Sequence, residues 1–196
     1  DAAALFGCAV TTGFGVVENN AKLKMGESVV VFGAGGIGLN IVQAAALVSA
    51  GPIIAIDRFE SRLKLAHQMG ATHCINSSSD DPEQAIQKAL GGQGLDVFID
   101  NTGVPTIIEL RYSLSDRQGR VVLVGVPRLG NTVNLYSLPL HFGKQLTGSQ
   151  GGEALPQQDI PRYLRLQQRG QLQLEQLVSA HYGLDEINLA IRATRD

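Results

Sequence analysis

The apolar positions of this chain fall into two alternating rhythms. Short β-branched runs predict strands at Ser28–Phe32, Ile53–Ile56, His73–Ile75, Leu95–Ile99, Arg120–Val124 and Gln145–Thr147. Between them, helical spacing predicts Ile37–Val48, Glu60–Met69, Pro82–Leu90 and Thr106–Leu114. Gly70 and Gly91 follow two of these helices, as C-terminal stop signals. Ahead of this alternation, residues 2–18 read as a helix weakened by Gly13 and Gly15, passing into the polar Glu18-Asn19-Asn20. After it, the rhythm changes: Ile160–Gln168 reads as a helix, Leu177–Ala180 as a short strand and Asp185–Ala193 as a last helix. Strands apolar on both faces, joined through helices, predict an α/β protein with a doubly wound parallel sheet.

Composition narrows the classes. With 196 residues, 44% apolar and 17% charged, the chain is an ordinary globular sequence. A net charge of −2 gives no electrostatic footprint for nucleic acid, and no 18-residue apolar run predicts a membrane span. Cys8 and Cys74 make no disulfide framework, so a reducing, cytoplasmic setting is expected. The chain opens on Asp1 rather than Met and reads as cut from a longer one.

Chemistry enters after the first strand. Gly33-Ala34-Gly35-Gly36-Ile37-Gly38 satisfies G-x-G-x-x-G between a strand and a helix. In this pattern Gly33 permits a tight turn, Gly35 lets backbone approach a pyrophosphate, and Gly38 lets the helix lie close on the strand. The next strand runs into Asp57, 19 residues after Gly38, where a carboxylate accepts ribose hydroxyls. A carboxylate there repels a 2′-phosphate, so NAD is expected over NADP. Arg58 follows directly and either stacks on adenine, softens that preference or is solvated. The expected fold is therefore a Rossmann domain.

The chain resembles the zinc-type alcohol dehydrogenases of the medium-chain dehydrogenase/reductase superfamily. The resemblance runs through Gly7-Cys8-Ala9-Val10-Thr11-Thr12-Gly13, Val31–Gly38, Met69-Gly70-Ala71-Thr72, Asp100-Asn101-Thr102-Gly103, Val124-Gly125-Val126-Pro127 and Gly148-Ser149-Gln150-Gly151-Gly152. It implies that Cys8 is one of three protein ligands to a catalytic zinc and that Thr12 lies against the nicotinamide ring. Val124, Gly148 and Ser149 match backbone that holds the carboxamide and the far ribose. The family's other two zinc ligands, its structural zinc lobe and its proton relay lie in a catalytic domain that this sequence does not include. It also stops short of a C-terminal arginine that contacts the pyrophosphate. The expectation is thus an NAD-binding domain at 1–170, and at 171–196 a partial tail that returns to that catalytic domain. On its own the chain is expected to be inactive, with no catalytic residue, while the full enzyme oxidises a small alcohol to a carbonyl.

Two other readings stay open: a zinc-free quinone- or enoyl-type reductase, and a non-catalytic NAD(H)-binding module. Cys8 and Asp57 weigh against the first. Tyr112, Tyr136, Tyr163 and Tyr182 are followed four positions on by Asp116, Leu140, Gln167 and Glu186, so no Tyr-x-x-x-Lys pair points to a short-chain dehydrogenase. Cys74 reads as a buried small hydrophobe in a strand. His67 and His73 read as structural, and Asp80-Asp81 as a solvated loop. From Thr132 to Gly148 the chain carries Val133, Leu135, Leu138, Leu140, Phe142 and Leu146. The resemblance makes this stretch the edge through which two copies would join as a homodimer.

Overall fold

The computed structural model describes residues 2–193. Its core is a six-stranded, all-parallel sheet of β1 (Val29–Phe32), β2 (Ile53–Asp57), β3 (His73–Asn76), β4 (Val97–Asp100), β5 (Arg120–Leu123) and β6 (Gln145–Gly148). The spatial order is β3-β2-β1-β4-β5-β6, the doubly wound order of the Rossmann fold. Its helices are α1 (Ala9–Gly15), α2 (Gly36–Leu47), α3 (Glu60–Gln68), α4 (Pro82–Leu90), α5 (Pro105–Leu114), α6 (Pro156–Gln168) and α7 (Ile187–Ala193).

Strand alternation divides the core into two layers. Val29 and Val31 of β1, with Ile53, Ala55, Val97, Ile99 and Val122, face one way and pack under α1, α2 and α6. Val30 and Phe32, with Ile54, Ile56, Phe98 and Val121, face the other way under α4 and α5. Every residue of β1, β2 and β4 is buried, which is why these strands read as unbroken apolar runs. β3 and β6 are the sheet's two edges and are more open.

The segment at the amino end differs in form from a single helix. It begins as a 3-10 turn over Ala2–Gly7, becomes α1, and widens into a π turn over Val16–Asn20. Gly13 and Gly15 are the reason a helix survives here despite its poor propensity. A Cβ on Gly13 would lie 2.6 Å from Asn40 Cβ on α2, and one on Gly15 would lie 2.3 Å from the Gly152 carbonyl oxygen. The two glycines let α1 lie directly on its neighbours, so packing overrides propensity.

Two expectations are corrected. Leu177–Ala180 is not a strand: Glu175–Leu177 forms a 3-10 turn, and residues 178–183 are irregular. A strand needs a partner to pair with, and no described strand runs beside this segment. Cys74 is exposed rather than buried, because it lies on the edge strand β3. Its thiol donates to the Leu63 carbonyl at 3.3 Å.

The helix expected from Ile160 starts at Pro156, which fills the first-turn position where no N–H is needed. Leu172 and Leu174 still pack into the first core layer, whereas residues 179–189 are exposed. Among the described residues no helix is long and apolar enough to cross a membrane.

Candidate functional site

β1 ends at Phe32, and the chain must reverse to lay α2 along the sheet. Gly33 makes the turn at φ +93°, a backbone region that favours glycine. Its N–H donates to the Ile56 carbonyl at 2.8 Å. Gly38 sets how closely α2 can follow: a Cβ there would lie 1.9 Å from the Gly33 carbonyl oxygen. At Gly35 and Gly36 the opposite holds, because an added Cβ would meet no atom within 4 Å. The fold therefore needs glycine at 33 and 38, while 35 and 36 face open space. No side chain caps α2, so its first N–H groups and the positive end of its dipole are aimed at that space.

That space is a cleft of about 980 Å³ above the carboxyl ends of β1, β2, β4 and β5. Gly33, Gly35, Gly36, Ile37 and Gly38 form one wall, and Asp57, Arg58 and Arg62 also line it. It sits where strand order reverses between β1 and β4, the place at which open α/β sheets bind ligands.

Asp57, only 5% exposed, is held by backbone. Its Oδ2 accepts from the Ala34 N–H at 2.8 Å and its Oδ1 from the Phe59 N–H at 3.0 Å. Arg62 approaches Oδ2 at 3.5 Å, an ion pair rather than a hydrogen bond. A carboxylate has about four lone-pair sites, so capacity remains for a donor arriving in the cleft. Arg58 is stacked over the Phe59 ring at 4.6 Å, and Arg62 over the same ring at 4.8 Å.

The second acid at a strand end, Asp100, is wholly buried. It accepts from the Thr102 N–H at 3.1 Å, the Thr102 hydroxyl at 2.6 Å and the Gly103 N–H at 2.8 Å. Its backbone carbonyl receives the Val124 and Gly125 N–H groups at 2.8 and 2.9 Å. Asp100 thereby ties the exit of β4 to that of β5 and shapes the cleft wall without opening onto it.

Of the residues singled out in the sequence, Gly33, Gly35, Gly36, Ile37, Gly38, Asp57, Arg58 and Val124 are brought together around the cleft. Thr12, Gly148 and Ser149 do not line it. Thr12 is buried on α1, with its N–H on the Cys8 carbonyl at 2.9 Å. Ser149 Oγ accepts from the Gly152 N–H at 3.1 Å. Asn101, Thr102, Ile107, Leu110 and Arg111 also line the cleft and were missed. The Asp100-Asn101-Thr102-Gly103 turn was the available signal, since an Asp that bonds its own backbone two residues on marks a tight turn.

Zinc does not fit this chain by itself. Cys8 is exposed at the start of α1, and among the described residues no group of three His, Cys, Asp or Glu side chains could hold a metal. A catalytic zinc needs three protein ligands.

The geometry agrees with comparison to known proteins. The family model for zinc-binding dehydrogenases matches residues 36–169, more than half of the chain. The chain belongs to the zinc-binding dehydrogenase family. Its sequence is 37% identical over 194 residues to the S-(hydroxymethyl)glutathione dehydrogenase of Synechocystis, covering 98% of this chain and 53% of that protein. The structure of benzyl alcohol dehydrogenase from Acinetobacter calcoaceticus superposes with a TM-score of 0.89 at 39% identity, over 97% of this chain and 52% of the other. A zinc-binding dehydrogenase from Sinorhizobium meliloti, solved with NADP bound, superposes at 0.78 and 28% identity, over 89% and 50%. The family member described here thus spans about half the length of the relatives it matches.

Proposed function

We propose that this chain binds NAD(H) as the cofactor-holding part of a zinc-dependent alcohol dehydrogenase. The observation that carries the reading is the buried Asp57 carboxylate, held at the end of β2 beside an uncapped, glycine-lined helix start. The residues fit a dinucleotide. Gly35 and Gly36 leave room for a pyrophosphate, the α2 N–H groups and dipole favour its charge, and Asp57 retains acceptor capacity for ribose hydroxyls. Val124 lines the same cleft, whereas Thr12, Gly148 and Ser149 lie outside that lining, and we assign them to the nicotinamide end on the family resemblance.

When bound, the cofactor supplies a nicotinamide ring that accepts or donates hydride. The chain's own residues bind and orient it. In the full enzyme Cys8 gives one thiolate to zinc, with the other ligands contributed from outside residues 1–196. We assign the tail from 171 to contacts with that other part, and the setting to the cytoplasm.

NADP is the second reading. Arg58 and Arg62 flank Asp57, and the S. meliloti relative holds NADP. The Asp57 charge opposes a 2′-phosphate more directly than the two exposed guanidiniums attract it, because Asp57 is buried and they are not.

Fluorescence titration with NADH and NADPH tests the proposal, beside an alcohol-oxidation assay with added zinc. Saturable NADH binding without turnover is expected. No binding of either nucleotide would overturn the proposal, and zinc-dependent turnover would show that the catalytic groups had been misplaced.

We also propose that two copies pair through β6. Val133, Leu138, Leu140 and Phe142 are exposed on the stretch leading to it, while Leu135 and Leu146 pack on their own domain. Sedimentation should show a dimer that Val133→Lys with Phe142→Lys breaks. A monomer at high concentration would end this idea.

A further inference from the structure

Arg111 on α5 is 2% exposed, yet it lines the cleft of the glycine loop. Its Nε and Nη1 are buried without a hydrogen-bond partner. The guanidinium lies 5.6 Å from the centre of the Phe32 ring, and Ile107, one helical turn earlier, lines the same cleft. Among the described residues no carboxylate forms an ion pair with it. Burial pulls its pKa below the usual value while Glu83 and Asp81 act against that from a distance, and an arginine so placed stays a cation.

A buried cation with unmade donors is a destabilising arrangement in a protein alone. It becomes reasonable where a ligand supplies the missing acceptors. The cleft offers such a place. Arg111 shares it with Phe32, Ile107, Leu110 and Pro82, apolar surface suited to a flat base. A phosphate on the ribose that Asp57 would hold would instead meet Arg62, which already approaches Asp57 at 3.5 Å, and the neighbouring Arg58.

The geometry points to Arg111 as the residue that recognises the purine base, its guanidinium donating to a ring-nitrogen acceptor of adenine. This rests on reading the cleft as a nicotinamide-dinucleotide site. It adds a base-specific contact from α5 to a pyrophosphate grip that is blind to the base. No bond is made or broken; the base exchanges water for a protein donor.

The test compares wild type with Arg111→Met, whose side chain fills similar space without charge. Three probes are titrated: NADH, reduced nicotinamide mononucleotide, and adenosine. Arg111→Met should weaken NADH by about tenfold to a hundredfold, the range of one charge-assisted hydrogen bond. Adenosine, which has no phosphate, should weaken in parallel, and the mononucleotide, which has no adenine, should be unchanged. The melting temperature of the unliganded variant should be equal to wild type or higher, since an unpaired buried charge has been removed.

A lower melting temperature with unchanged NADH affinity would make Arg111 structural and overturn the inference. Weaker NADH with unchanged adenosine would place the contact on a phosphate and overturn it as well. If Arg111→Met does not fold, Arg111→Lys carries the same comparison, its shorter, single-pronged cation giving a smaller loss for NADH and adenosine alike. Failure of wild type to bind NADH would defeat the cofactor reading itself. Binding by wild type that Arg111→Met leaves intact defeats only the role of Arg111.

Discussion

Asp57 and Asp100 occupy the same place in two halves of one sheet. Each follows a buried apolar run, each ends its strand, and each accepts backbone N–H groups. Asp100 accepts two from the turn beyond it, and Asp57 one from its own turn and one from Ala34 in the glycine loop after β1. Their fates differ in what remains after those bonds. Asp100 is fully enclosed and its carboxylate has three donors, two of them backbone, all from Thr102 and Gly103. The carboxylate thus fixes the turn that leaves β4, while the backbone carbonyl of Asp100 holds the Val124 and Gly125 N–H groups at the β5 exit. Asp57 has two backbone donors and one distant guanidinium, and its carboxylate still reaches the cleft. The glycines divide in the same way. Gly38 is required by the protein itself, since its missing Cβ makes room for the Gly33 carbonyl, whereas Gly35 borders only open space. One member of each pair builds the site, and the other faces what enters it.

Substitutions that separate the members of each pair sharpen this contrast. The largest effect is expected from Gly38→Ala. A methyl 1.9 Å from a carbonyl oxygen cannot be absorbed by a rotamer change, so α2 must shift from the sheet. The loss in urea unfolding should exceed the about 1–3 kcal/mol usual for overpacking. Next comes Asp100→Ala, which strips the acceptor from two N–H groups and a hydroxyl near the β4 exit. At about 1–3 kcal/mol for each buried donor left unpaired, a loss of at least about 2 kcal/mol is expected. A loss below 0.5 kcal/mol in the same measurement, on the order of an ordinary surface change, would deny that the carboxylate holds this turn.

Gly35→Ala is the counterpart with the smallest effect on stability. Its φ of −75° suits alanine, so stability should hold or rise by about 0.4–1 kcal/mol. NADH affinity should nevertheless fall, because the methyl enters the space assigned to the pyrophosphate. Gly35→Ala that binds NADH as wild type does would move the pyrophosphate elsewhere.

The parallel sheet was legible in the sequence because β1, β2 and β4 are buried on both sides and carry almost nothing but apolar residues. The glycine loop and Asp57 were legible because turn geometry and acceptor chemistry restrict which residues can stand there. Arg111 was not legible. An arginine in a helix is ordinarily solvated, and nothing in Leu110-Arg111-Tyr112 shows that α5 turns this one inward against Phe32. The division between Asp57 and Asp100 was also hidden, since it depends on the donors that each turn supplies. Leu177–Ala180 misled because of its apolar pair Leu177-Val178, and an apolar pair without a neighbouring strand makes no sheet.

The most direct measurement is a pair of titrations, with NADH and with NADPH, on wild type and on Asp57→Ala shown by its urea midpoint to be folded. The account predicts that wild type prefers NADH. Asp57→Ala should lose about 1.5–3 kcal/mol of NADH affinity, the size of a hydrogen bond to a charged group, and should narrow the preference over NADPH. An Asp57→Ala variant with wild-type NADH affinity and an unchanged preference would contradict the account at its centre.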